Sequence, residues 1–208
     1  MTGQPHPSDA RAPSAGSPGW ATSLQECAED ARRTLAAWHP TSAPQDDLRQ
    51  RFLAFLAEHG AQAVDRDLRV GHLTASIVLL DHTREHVLLT LHGLLGAWVQ
   101  LGGHVEPEDR SMVQAAAREA HEESGIAGSV VDPQPLGIDW HAVRCRDSGR
   151  RIRSSQHLDV TYLAIAPAGA VPVRSDESED LAWFGVQALP DAADATLRRL
   201  VDAARQRS

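Results

Sequence analysis

Gly102-Gly103-His104-Val105-Glu106-Pro107-Glu108-Asp109-Arg110-Ser111-Met112-Val113-Gln114-Ala115-Ala116-Ala117-Arg118-Glu119-Ala120-His121-Glu122-Glu123-Ser124-Gly125-Ile126 decides how this chain is read. Ser111–Ser124 carries an Ala-rich helical pattern, and Gly125 stops it by entering the left-handed region without steric cost. On that helix Glu119, Glu122 and Glu123 stand at i, i+3 and i+4, so their carboxylates share one face. Like charges so placed repel by about a few tenths of a kcal/mol per pair. Three acids on a helix are more often a solvated face, but beside an apolar stripe the cluster is best explained by a cation among the carboxylates. Hard oxygen donors, with no cysteine or tight histidine cluster beside them, favour Mg²⁺ or Mn²⁺ over zinc. Gly102-Gly103 reads as a Gly-rich turn feeding the helix, where the backbone approaches a ligand closely. Glu106, Glu108 and Asp109 add acid at the same end, and Arg118 is placed to bridge back to Asp109. Each element alone is weak, and their order in one run makes them specific.

That run resembles the Nudix box: Gly, five residues, Glu, seven residues, Arg-Glu, an aliphatic residue, any residue, Glu-Glu, any residue, Gly, an aliphatic residue. Here Gly103 is followed by five residues, Asp109 and eight further residues, and Arg118-Glu119-Ala120-His121-Glu122-Glu123-Ser124-Gly125-Ile126 completes the box. Asp109 stands where Glu is usual, one residue is inserted before Arg118, and Ala120 is smaller than the usual aliphatic residue. Glu108 fills the acid position instead if the loop bulges there. The resemblance continues through Leu91–Leu101, His157–Tyr162 and the acidic stretch Ser175–Phe184, and so covers Val70 to the C-terminus.

The resemblance implies an α/β (α+β) fold, a mixed sheet sandwiched between helices. It implies hydrolysis of a nucleoside diphosphate linked to another moiety. Glu119, Glu122 and Glu123, with the carbonyl of Gly103, would ligate Mg²⁺ or Mn²⁺, and Arg118 would orient Asp109 or Glu108. Gly102, Gly103, His104 and Glu106 would face the substrate or support the loop that does. The general base would be Glu122 or Glu123, or else Glu177 or Glu179 from a later loop, and a box residue is favoured. The competing class is a non-catalytic module that binds a nucleotide or ADP-ribose, and retention of all three helix carboxylates weighs against it. An isopentenyl diphosphate isomerase, which shares the fold, needs a cysteine at the site, and neither Cys27 nor Cys145 lies near the box in sequence.

Around this segment, residues 1–19 are rich in Pro, Ser, Gly and Ala and read as a disordered tail. Helices are predicted at Ser23–Trp38, with Ser23 and Glu26 as a capping box, and at Gln45–His59, closed by Gly60. They form a helical extension over 20–69, ahead of a domain at 70–208. Strands are predicted at Leu73–Leu80, His86–Leu91, Val130–Asp139, Leu158–Ala166 and Leu181–Gly185, with a closing helix at Leu189–Gln206. His157 and Asp159 point to one side of a strand and read as a cross-strand hydrogen-bonded pair rather than a site-facing one. Arg144, Arg146, Arg150, Arg151 and Arg153 cluster around Gly149 in a solvated hairpin loop, where they are also placed to steer an anion. Trp98 reads as packing.

A net charge of −8 over 208 residues, with no long basic run, argues against nucleic-acid binding. The two cysteines form no CxxC motif and read as free thiols. No stretch approaches the roughly 18 apolar residues of a membrane span, and no charged-then-apolar leader opens the chain. The expectation is a cytoplasmic enzyme with a small nucleotide-type substrate, no nucleic-acid or membrane partner, and a homodimer left open.

Overall fold

A computed structural model describes residues 18–93, 96–149, 151–175 and 178–207. Most of the tail, with Arg150 and Glu177, therefore lies outside the described residues. The elements in order are α1 (Pro18–Ala37), α2 (Ala43–His59), β1 (His72–Leu80), β2 (His86–His92), β3 (Ala97–Val99), β4 (Leu101–His104), α3 (Met112–Ser124), β5 (Val130–Val131), β6 (Gly137–Arg146), β7 (Ile152–Ile165), β8 (Ser178–Gly185) and α4 (Ala195–Gln206). No helix among the described residues is long and apolar enough to cross a membrane.

All strands join one mixed sheet. β1 lies at its centre, parallel to β7 from His72↔His157 to Leu80↔Ile165. The other edge of β1 is shared: β4 pairs with its first half, Thr74↔His104 to Ile77↔Leu101, and β2 with its second, through Leu79 and Leu80. β6 runs antiparallel along β7, and β8 along β2. Strand alternation divides β1 between two layers. Leu73, Ala75, Ile77 and Leu79 join the buried cluster that includes α1, α2 and α3. Val78 and Leu80 join the cluster under Leu197, Leu200, Val201 and Ala204 of α4. The first half of this second face is instead polar and buried: His72, Thr74 and Ser76.

Several sequence expectations change in detail. The first helix begins at Pro18, inside the stretch read as tail. Ser23 is therefore not its N-cap but an interior residue turned toward the box loop. The strand expected over Val130–Asp139 is split into β5 and β6. Pro133 and Pro135 fall in the gap, where each lacks the N–H a ladder needs. The last helix starts at Ala195, after Pro190, with Asp194 accepting from the N–H of Leu197 at 2.7 Å. Gly102 and Gly103 form strand β4 rather than a turn at the helix N-terminus, and Ser111 caps α3 by accepting from Gln114 N–H. Gly60 and Gly125 end their helices as expected, at φ +54° and +67°.

α1 carries the apolar stripe the sequence shows: Leu24, Cys27, Ala28, Ala31 and Leu35 are all buried. Its polar contacts run to the loop before α3. Ser23 Oγ donates to the Pro107 carbonyl at 2.5 Å and accepts from Arg110 Nη1 at 2.7 Å. Asp30 Oδ2 accepts from the N–H of Met112 at 3.0 Å, capping the first turn of α3 from another helix. An unsatisfied helix-terminal N–H that loses such an acceptor costs about 1 kcal/mol. Asp30→Ala should therefore lower Tm by about 2–4 °C, read by differential scanning fluorimetry, while Asp30→Asn, which keeps an acceptor oxygen, shifts it less.

Candidate active site

β4 and α3 face each other across the site. In β4, alternation sends Gly103 toward α3 and His104 to the opposite face of the sheet. Gly103 has no room for a side chain: a Cβ there would lie 2.5–2.8 Å from the Glu119 carboxylate. Gly102, at φ +156°, donates its N–H to Glu123 Oε2 at 2.8 Å. Two consecutive glycines thus let a strand backbone press against two of the three helix carboxylates. Gly-Gly at this point serves close approach of a strand to the helix carboxylates.

Arg118 organises the rest. Its Nε and Nη2 reach the Asp109 carboxylate at 3.0–3.3 Å, and Nη2 also donates to the His104 carbonyl at 2.8 Å. Its Nη1 donates to Glu119 at 3.1 Å and to Glu122 at 2.8 Å. Asp109, 1 % exposed, further accepts from Glu106 N–H at 2.8 Å. Between the two candidates for the loop acid, the geometry selects Asp109, because Glu108 is exposed. A shorter side chain on a loop with one extra residue meets the same arginine.

The three carboxylates differ in environment. Burial pushes Glu119 up to about 7; Arg118 opposes the shift, while Glu122 and Glu106 add to it. The Glu119 side chain is 15 % exposed and that of Glu122 is 54 % exposed. Burial likewise raises Glu106, against Arg66 and Arg118, and Arg66 lies 3.4 Å from it. The donors are all carboxylate oxygens, with backbone packed against them, and a hard divalent ion fits that set. Arg118 Nη1 sits where such an ion would compete for Glu119 and Glu122, and the same guanidinium keeps Asp109 through its other nitrogens.

Other singled-out residues lie elsewhere. Glu179 opens β8 beside Gly93, at the end of β2. Trp98 packs edge-on against Phe184. Asp159 is buried and bonds Thr74, Ser76 and Thr161 hydroxyls at 2.8–2.9 Å rather than His157. The basic cluster belongs to strands more than to a loop: Arg144 and Arg146 lie in β6 and Arg153 in β7, where it pairs with Asp147. Cys27 sits behind the site, its Sγ donating to the Asp109 carbonyl at 3.4 Å, and burial beside Asp109 and Asp30 pushes its thiol up to about 12. Such a thiol is inert rather than nucleophilic.

His104 does not face α3. Its ring packs with His72 and His157, 5.1 and 5.2 Å away between centroids, and Cys145 of β6 joins the same group. Sequence reasoning found no tight histidine cluster because these four residues come from four strands and meet only through sheet register.

The chain matches the NUDIX domain model over residues 71–204. A search of curated protein sequences finds no match. Among solved structures, it is similar to a UDP-X diphosphatase (16% identity, 90% of this chain and 94% of that one, TM-score 0.49). It is also similar to a NUDIX-family hydrolase of Clostridium perfringens (23%, 64% and 93%, 0.46) and to an Ap4A hydrolase of C. elegans (18%, 63% and 93%, 0.48). With the model spanning well over half its length, and with the box residues gathered as described, the chain belongs to the NUDIX domain family of hydrolases.

Proposed function

We propose that the protein is a divalent-metal-dependent pyrophosphohydrolase that cuts a phosphoanhydride bond in a nucleoside diphosphate linked to another moiety. The observation that carries this reading is the carboxylate face of α3, with Glu119 packed against a Gly103 that leaves no space for a side chain, Glu123 held by the Gly102 N–H and Glu122 held by Arg118.

Glu119, Glu122, Glu123 and the Gly103 carbonyl hold Mg²⁺ or Mn²⁺. Bound ions neutralise the pyrophosphate and acidify the attacking water. With an ion bound, Arg118 would give up Glu119 and Glu122 while its bonds to Asp109 and the His104 carbonyl would keep the loop in position. Glu122, half exposed, takes the proton from water. Glu123 is more tied, through the Gly102 N–H. Glu179, at the start of β8, is the later-loop alternative. Gly102 and Gly103 hold the loop close to the phosphates, supported by Glu106. Residues 20–69 brace the domain that follows, and a cytoplasmic setting suits two free thiols.

Incubation with Mg²⁺ or Mn²⁺ and a panel of nucleoside-diphosphate derivatives and triphosphates, with phosphate release read with and without added phosphatase, tests this. Metal-dependent turnover of a diphosphate derivative, lost in Glu122→Gln and Glu123→Gln, is the expected result. Micromolar binding without turnover would instead make the chain a nucleotide-binding module.

A further inference from the structure

We infer that His72, His104, His157 and Cys145 form a second metal site, a closed tetrahedral zinc site on the face of the sheet opposite α3.

The ligand atoms of these four residues all lie within 4.8 Å of one another. Sheet register brings them there: His72 pairs directly with His157 across β1 and β7, His104 lies diagonally across in β4, and Cys145 comes from β6. A tetrahedral zinc ion with Zn–N near 2.0–2.1 Å and Zn–S near 2.3 Å sets its ligand atoms roughly 3.3–3.8 Å apart. Side-chain rotations of about 1 Å close that gap.

The cluster is costly without an ion. His72 is fully buried, and neither of its ring nitrogens has a hydrogen-bond partner. The Nε2 atoms of His104 and His157 are also buried and unpartnered. Burying such groups without a partner is unfavourable, and one ligand atom from each of the four residues lies within 4.8 Å of the others. On the same face the buried Asp159 carboxylate is satisfied by three hydroxyls. Burial holds the imidazoles neutral, the form that binds metal: His72 is brought down to about 4 and His157 to about 3. Imidazole and thiolate together select zinc over Mg²⁺, whereas the carboxylates behind α3 make the opposite choice.

Arg66 is a cation in direct contact with the cluster, and it has an alternative partner. It donates through Nη2 to His104 Nδ1, while its Nη1 lies 3.4 Å from Glu106. Whichever nitrogen of His104 takes the ion, Nδ1 becomes either a ligand or an N–H, so Arg66 must leave it. Glu106 is at hand to hold the guanidinium. Entry is through a cleft of about 290 Å³ lined in part by Arg66, Cys145, Asp147 and Arg153. On binding, the Cys145 thiol gives its proton to solvent and coordinates as thiolate. With four protein ligands the ion has no open position and is structural. It ties β1, β6 and β7 to His104, whose carbonyl holds Arg118 on the other face.

Chelator-stripped full-length protein titrated with Zn²⁺ in excess Mg²⁺, and separately with Co²⁺ as a spectroscopic probe, tests the site. One zinc per chain that Mg²⁺ does not displace is expected, with a thiolate-to-cobalt charge-transfer band that Cys145→Ser abolishes. His157→Asn should weaken zinc binding at least about tenfold, and Arg66→Gln, which removes the competing cation, should strengthen it. Should His157→Asn not fold, the cobalt band in Cys145→Ser and the direction of the Arg66→Gln change decide. Zinc displaced by Mg²⁺, absence of the cobalt band, or affinity unchanged in both Cys145→Ser and Arg66→Gln overturns the site. None of these readings depends on turnover, so failure here leaves the proposed hydrolase untouched.

Discussion

Glu119→Gln is expected to lower kcat/KM for the best substrate by about 10³-fold, because on the proposed function Glu119 is a metal ligand whose loss removes about 4 kcal/mol of transition-state stabilisation. The substitution keeps shape and removes charge at a position packed against Gly103. The fold should survive it, and a circular dichroism spectrum like that of the parent separates lost chemistry from lost structure. A second signature belongs to the metal-free protein. Burial raises Glu119 to about 7 in the folded state, above its ordinary carboxylate value when unfolded. The folded state then binds this proton more tightly. Its contribution to stability is present below the unfolded pKa and is lost as pH rises through about 7. In chelator, the urea midpoint should therefore decline across that window in the parent and decline less in Glu119→Gln. Retention of turnover within tenfold of the parent would remove Glu119 from the metal site.

The box helix was legible because its information is local. Glu119, Glu122 and Glu123 reveal a shared face by spacing alone, and Gly125 reveals its stop. The α1 stripe and the β1–β2 hairpin were legible for the same reason. Less legible was whatever depends on register or on a partner element. β4 is four residues long and half glycine, so it carries no strand signature. Ser23 has the sequence look of a cap and acts as a bridge to Pro107, because its helix begins earlier and lies against the box loop. His72 and His157 are 85 residues apart in a chain where only the parallel β1–β7 register makes them neighbours. The acid that meets Arg118 was ambiguous between Glu108 and Asp109 until the loop path was known, since neighbouring residues in a loop point in directions that spacing does not determine.

That ambiguity yields the largest effect on stability. Asp109→Ala should destabilise the fold by about 3–5 kcal/mol, the range for removing one partner of a buried ion pair. Asp109 holds the Arg118 guanidinium through two nitrogens and the Glu106 N–H through Oδ2, and it is 1 % exposed, so water cannot replace it. Left behind are a largely buried cation and an unsatisfied backbone donor. The urea midpoint should fall with little change in slope, because the surface exposed on unfolding is nearly the same. Glu108→Ala, one residue away and exposed, should shift it by less than about 0.5 kcal/mol. Asp109→Asn keeps one acceptor oxygen and should fall between the two. Freed from Asp109, the Arg118 guanidinium competes more strongly with an ion for Glu119 and Glu122, so in conditions where Asp109→Ala remains folded its metal affinity should drop as well. Equal effects of Asp109→Ala and Glu108→Ala would mean that Arg118 finds its partner elsewhere and that the box loop is built on a different acid.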